Sequence, residues 1–143
     1  AATNLLSTVS NGEQNVFVYD RDALTTTCIS RGIVAGTQAD GPCSYPAISG
    51  DGRYVAFGSY ASNLVVGDTN GTWDVFVHDR TTGRTTRVSL GAASQQNDGE
   101  AYGADIARDG SAIGFQAKGT RLPGSDAAIF HLYRVLNTPS GSG

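Results

Sequence analysis

The sequence predicts an all-β chain assembled from repeated four-stranded antiparallel units, and three observations carry that prediction. The first is an internal repeat. Asp74-Val75-Phe76-Val77-His78-Asp79-Arg80 echoes Asn15-Val16-Phe17-Val18-Tyr19-Asp20-Arg21 at 74 − 15 = 59, and Asp109-Gly110 echoes Asp51-Gly52 at 109 − 51 = 58. Gln96, Asp98, Gly99, Ile106 and Phe115 likewise follow Gln38, Asp40, Gly41, Ile48 and Phe57 at 58. A fixed period of this size marks a supersecondary module that buries its faces against its neighbours. The second observation is composition: 19 glycines imply many turns, and acids are mostly Asp and bases mostly Arg. Few strong helix formers remain to cover helix surfaces. The third is local, short β-branched or aromatic runs bounded by turn signals. Repeated four-stranded units are the signature of a β-propeller.

The clearest unit opens with a strand at Gly52–Gly58. A loop from Ser59 to Trp73 leads to a second strand, Asp74–Asp79. Thr81-Thr82-Gly83 turns the chain into a third, Arg84–Leu90, and a polar loop through Asn97-Asp98-Gly99 precedes a fourth near Tyr102–Ala107. The first unit enters after its own first strand, because Asn4-Leu5 in Ala2–Ser10 mirrors Asn63-Leu64 in Ala61–Thr69. Its second strand is Asn15–Arg21, its third carries Cys28 and its fourth Cys43. The last unit supplies Ser111–Ala117 and Ala128–Arg134, with Phe130 and Arg134 standing for Phe76 and Arg80. The expected order is 2-3-4, 1-2-3-4, 1-2, about two and a quarter repeats of an incomplete ring. The units run 1–49, 50–107 and 108–136, and residues 137–143 form a Ser/Gly-rich tail.

Bulk properties exclude several partners. A net charge of −3 and a single lysine, Lys118, argue against nucleic acid, whose binding rests on clustered cations. No apolar run is long enough for a membrane span. Methionine is absent even at position 1, so the start reflects either processing of a secretory leader or excision from a longer chain.

The segment Pro46-Ala47-Ile48-Ser49-Gly50-Asp51-Gly52-Arg53-Tyr54-Val55-Ala56-Phe57 resembles the P-x-x-S-x-D-G-R-x-V-A-F hallmark of TolB-type propeller repeats. Asn63–Gly71 followed by Asp74-Val75-Phe76-Val77 and Asp79-Arg80 is similar to a subgroup found in many secreted bacterial proteins. The resemblance implies a propeller fold and leaves activity open, because propellers host many functions. The last unit departs from it, with Ser111-Ala112 for Arg-Tyr and Leu132-Tyr133 for His-Asp.

Val66–Asp74 resembles the D-x-D-x-D-G-x-x-D calcium loops of some propellers. Aligned on Gly71, Asp68, Asn70 and Asp74 fall on three of the four side-chain ligand positions and Val66 occupies the first, so the candidate calcium residues are Asp68, Asn70, Thr72 and Asp74. Hard oxygen ligands at alternate positions around a glycine turn are what calcium requires. The plain alternative is a tight Asn70-Gly71 turn with Asp68 accepting local donors. Cys28 and Cys43, placed on neighbouring antiparallel strands, are expected to form a disulfide, which fits an oxidising compartment. The alternative is two small buried thiols.

Catalytic ingredients are poor. His78 and His131 sit inside strand patterns, no G-x-S-x-G elbow occurs, and Glu13 and Glu100 lack evident partners. Asp20-Arg21 and Asp79-Arg80 read as a repeated ion pair or turn anchor. Tyr54, Tyr60, Trp73 and Tyr102 are candidates for a sugar- or peptide-binding face, with core packing as the alternative. The expected function is therefore a non-enzymatic, secreted (extracellular or periplasmic) propeller-repeat scaffold. It would self-assemble head to tail into a ring or filament by inter-chain strand pairing at Asn15–Arg21 and Ala128–Arg134. A glycan- or peptide-binding propeller fragment, or an enzyme's accessory propeller, is the alternative.

Overall fold

The computed structural model describes residues 11–124 and 127–138. Its strands are β1 (Phe17–Asp20), β2 (Thr25–Cys28), β3 (Cys43–Ile48), β4 (Tyr54–Ser59), β5 (Asp74–Asp79), β6 (Arg84–Arg87), β7 (Ala101–Ile106), β8 (Ala112–Ala117) and β9 (His131–Leu136). They form three antiparallel sheets, β1-β2, β3-β4-β5-β6 and β7-β8-β9. The match of Ala2–Ser10 to the later loop lies outside the described residues, as does most of the tail.

The all-β expectation holds, and the partition of strands differs from the expected one. The strand carrying Cys43, expected to end the first unit, opens the second sheet and pairs with β4 through Ala47↔Ala56 and Ile48↔Val55. The strand at Ala101–Ile106 opens the third sheet in the same way. Connection length explains this. The Asp51-Gly52 turn is tight, with Gly52 at φ 72° and the Asp51 carboxylate accepting from Arg53 N at 3.0 Å, so it enforces a hairpin. Asp109-Gly110 repeats the device, with Gly110 at φ 73° and Ser111 N bonded to Asp109 at 3.0 Å. The long segments after β2 and β6 instead carry the chain to the next sheet. Each period thus lends one strand to the sheet that follows.

Sheets stack face to face. On β4 and β5 alternate residues serve opposite neighbours, as the two-residue period of a strand requires. Val55, Phe57 and Phe76 pack toward the first sheet with Val16, Ile29 and Cys43. Tyr54, Ala56, Val75 and Val77 pack toward the third sheet with Ile106, Ile113 and Phe115. All six residues of β4 are buried, since both of its faces are covered. Burying one Phe of this kind stabilises by roughly 1.5–3 kcal/mol. Backbone bonds stitch the sheets in register: Cys43 N donates to Gln14 O at 2.8 Å, and Ala101 N donates to Trp73 O at 2.7 Å, 58 and 59 residues later (101 − 43, 73 − 14). Gly110 is required by contact as well as by φ, because a Cβ there would sit 2.6 Å from the Tyr54 ring.

The last strand lies further along the chain than expected. It runs His131–Leu136, and Tyr133 takes the place assigned to Phe130: Phe115 stacks on Tyr133 at 5.6 Å as Phe57 stacks on Phe76 at 5.9 Å. Phe130 corresponds to Trp73, just before the strand.

Candidate functional site

The most connected polar cluster among the described residues surrounds the start of β5, where the loop 60–73 enters. Asp74 is fully buried at the first position of β5. Its Oδ1 accepts from Ser89 Oγ at 2.5 Å, and the same Ser89 oxygen accepts from Val75 N at 3.1 Å. Its Oδ2 accepts from Asn70 Nδ2 at 2.7 Å and faces Arg87 Nη1 at 3.4 Å. Arg87, the last residue of β6, also pairs with buried Asp68 at 2.9 Å and donates to Gln96 Oε1 at 3.0 Å. Gln96 in turn holds the loop by accepting from Thr69 N at 2.9 Å and Asn70 N at 3.2 Å.

Two carboxylates share one guanidinium here, and burial decides their protonation. Burial first, and the neighbouring Asp74 second, push Asp68 up to about 6 against the pull of Arg87. Burial also raises Asp74, opposed by the Ser89 and Asn70 hydrogen bonds and by Arg87.

Asp68, Asn70 and Asp74 thus come together as the loop pattern anticipates, while Thr72 lies half-buried beside them. As arranged, the set does not fit calcium. Arg87 stands between the carboxylates where a cation would stand, and Asn70 points its NH₂ group, not its carbonyl, at Asp74. No group of three or more His, Cys, Asp or Glu side chains fit to hold a metal occurs among the described residues.

The first unit keeps the framework and drops the charges. Ser30 Oγ accepts from Val16 N at 3.0 Å and donates to Asn15 at 2.8 Å, as Ser89 does with Val75 and Asp74. Asn11 Nδ2 donates to Ala39 O at 2.6 Å, as Asn70 does to Asn97 O at 3.1 Å. Asn15 replaces Asp74 and Cys28 replaces Arg87, so acid and base disappear together.

The expected Cys28–Cys43 disulfide is not formed: both are buried free thiols. They lie on β2 and β3, which belong to different sheets, so the assumed cross-strand pairing does not exist. Cys43 Sγ instead lies 3.2 Å from Ser59 Oγ, and burial pushes its thiol up. The Asp-Arg pairs are also redistributed. Asp79 binds Arg53 through Oδ1 at 3.1 Å and Oδ2 at 2.8 Å, which holds it down to about 2, and Arg80 reaches back to Asp20 at 4.0 Å. The turn-anchor role stands: Asp20 accepts from Asp22 N and Ala23 N, and Asp79 from Thr81 N. His78 is half-buried with Nδ1 at 3.0 Å from Thr85 Oγ1, a structural position.

Of the aromatic candidates, Tyr54 is core. Exposed Tyr60 meets half-buried Trp73 edge-on at 6.5 Å between ring centres, and Tyr102 meets Phe130 at 4.9 Å. Tyr45, 64 % exposed at a bulge in β3, is a further surface aromatic that its sequence context does not single out.

No family model matches the chain, and no curated protein does. Solved structures do. A putative TolB from Agrobacterium tumefaciens superposes with TM-score 0.56 at 17 % identity, over 90 % of this chain and 36 % of that one. The fold is a TolB-like propeller fold. TolB from Acinetobacter baumannii (TM-score 0.49, 21 % identity, 84 % of this chain and 23 % of that one) and the tricorn protease (0.45, 16 %, 83 % and 10 %) are also similar. The chain spans about a third of the first structure's length, so the three sheets are propeller blades of a partial ring.

Proposed function

We propose that this chain is a non-enzymatic scaffold module in which each blade seats the next, and that a second copy stacks head to tail on its end. One observation carries the reading. The face of the third sheet that corresponds to Ala56, Val75 and Val77 presents Gly114, Leu132 and Arg134, and among the described residues nothing covers Leu132. Leu132 is 81 % and Leu136 60 % exposed there. At the other end Val16 and Val18 pack on the second sheet, which turns Phe17 and exposed Tyr19 outward. Faces of these two kinds already meet twice inside the molecule, which supports a third meeting between molecules. A secreted setting, extracellular or periplasmic, belongs to the same reading through the repeat resemblance. Sedimentation velocity over a concentration series tests it: average mass should rise with concentration, and Leu132→Glu should remain monomeric. A strictly monomeric wild type at every concentration would contradict it.

The exposed Tyr45 and Tyr60, with half-buried Trp73 against Tyr60, favour a second reading, glycan binding by aromatic stacking. Trp73 is the only tryptophan, so a glycan array followed by intrinsic fluorescence titration reports on that site directly. An unchanged emission spectrum with every array hit would exclude it.

A further inference from the structure

We propose that the outer edge of β6 is a docking groove for an extended peptide of alternating apolar and acidic residues, which adds to the second blade as a fifth strand. The phase of the ladder exposes the necessary groups. Val88 N donates to Val75 O at 2.8 Å, so Val75↔Val88, Val77↔Thr86 and Asp79↔Arg84 are the bonded pairs. Antiparallel pairs alternate, and so Thr85 and Arg87 turn their backbone N–H and C=O away from β5. Among the described residues no strand pairs with them, because β6 ends its sheet. Such a row of backbone groups is a template for strand addition.

A groove of about 440 Å³ follows this edge, lined by all of Arg84–Arg87. Thr85 and Arg87 face one side of β6 and Arg84 and Thr86 the other, so a groove lined by all four takes in the backbone edge of the strand. Its far wall is apolar, formed by Ile33, Leu64, Val65 and Val66, with Leu90 at one end. Val66 is 86 % exposed, an unusual position for valine. Arg84 stands exposed on the opposite face of the strand, beyond the Arg87 cluster. A peptide strand laid here would send alternate side chains to the apolar wall and to Arg84, which sets the apolar and acidic alternation.

Both walls are held in place before any partner arrives. Arg87 Nη2 donates to Gly67 O at 3.4 Å, which ties the loop bearing Val66 to β6, and Ile33 N donates to Asn63 O at 2.8 Å, which ties Ile33 to that same loop. A preformed groove spares the ordering cost that weakens strand addition elsewhere.

The test uses the full chain and a fluorescein-labelled, amidated hexapeptide of alternating valine and glutamate, followed by anisotropy. Saturable binding is expected, weakened about tenfold or more by Val66→Asp and by Arg84→Glu, both surface changes that should leave the melting temperature close to that of the wild type. The same peptide N-methylated at alternate backbone positions should not bind, since it lacks the donors the ladder needs. Absence of saturable binding at millimolar peptide, or equal binding of the N-methylated peptide, overturns the proposal.

Discussion

Asp68 and Asp74 face one arginine, an arrangement with one buried negative charge in excess. Asp68 carries a raised value of about 6 against the ordinary 3.8. Between these values the unfolded chain ionises while the folded one keeps its proton, so this group's stabilisation is complete below about pH 4 and is lost as pH rises through 6. Asp79, held down to about 2 by Arg53, works in the opposite sense, losing its contribution as pH falls from 3.8 toward 2. His78, lowered by burial, opposes Asp68 because its protonation below pH 6.5 disfavours the folded state. The informative quantity is therefore a difference. Asp68→Asn should gain stability relative to wild type as pH rises from 4 to 6.5, measured by melting temperature, because it leaves a neutral Asp74–Arg87 pair. Parallel curves for the two proteins would contradict this protonation scheme. Calcium and chelator should give the same melting midpoint, since the guanidinium already stands between the carboxylates; a calcium-dependent rise would show that Arg87 yields its place.

At the scale of elements, the bulge between Ser44 and Ala47 recurs between Tyr102 and Asp105, 58 residues later (102 − 44). It needs a left-handed residue, Tyr45 at φ 54° in β3 and Gly103 at φ 68° in β7. Left-handed backbone costs an L-residue roughly 1–2 kcal/mol. Space is not limiting at Gly103, where a Cβ would meet only Gln116 Nε2 at 3.7 Å. Gly103→Ala should therefore destabilise by about 1 kcal/mol through backbone alone, while Tyr45→Gly should be nearly neutral, relief of strain offsetting lost rigidity. Thermal melts check both, and a stabilising Gly103→Ala would mean the bulge relaxes. The existence of these strands was legible from their Val, Ile, Phe and Tyr runs. The position of the last was not, because Ile129-Phe130-His131-Leu132-Tyr133 is nearly continuous in bulky residues, and only the stacking of Tyr133 on Phe115 fixes the register. Arg87 escaped notice because it lies 13 residues from Asp74 in sequence (87 − 74) and meets it only across the β5-β6 ladder. A signal existed in the two copies, where Asn15 with Cys28 replaces Asp74 with Arg87.

For the whole molecule, the period and the propeller class follow from sequence alone, whereas the boundary between blades follows from which loops are short. Asp51-Gly52 is a hairpin signal lying inside what the repeat alone treats as a junction between units, and local turn geometry prevails over the phase of the repeat. Each sheet is therefore built from one contiguous stretch, residues 43–87 for the second and 101–136 for the third, and neighbouring blades are held by their packed faces and by the segments that connect them. Cooperativity between blades then rests on that face-to-face burial. Cross-strand nuclear Overhauser contacts measured in solution test this assignment of strands to blades most directly. The structure predicts backbone contacts joining Ala47 to Ala56, Ile48 to Val55 and Tyr102 to Gln116. Backbone contacts joining residues 43–48 to residues 25–28, with none to residues 54–59, would contradict it.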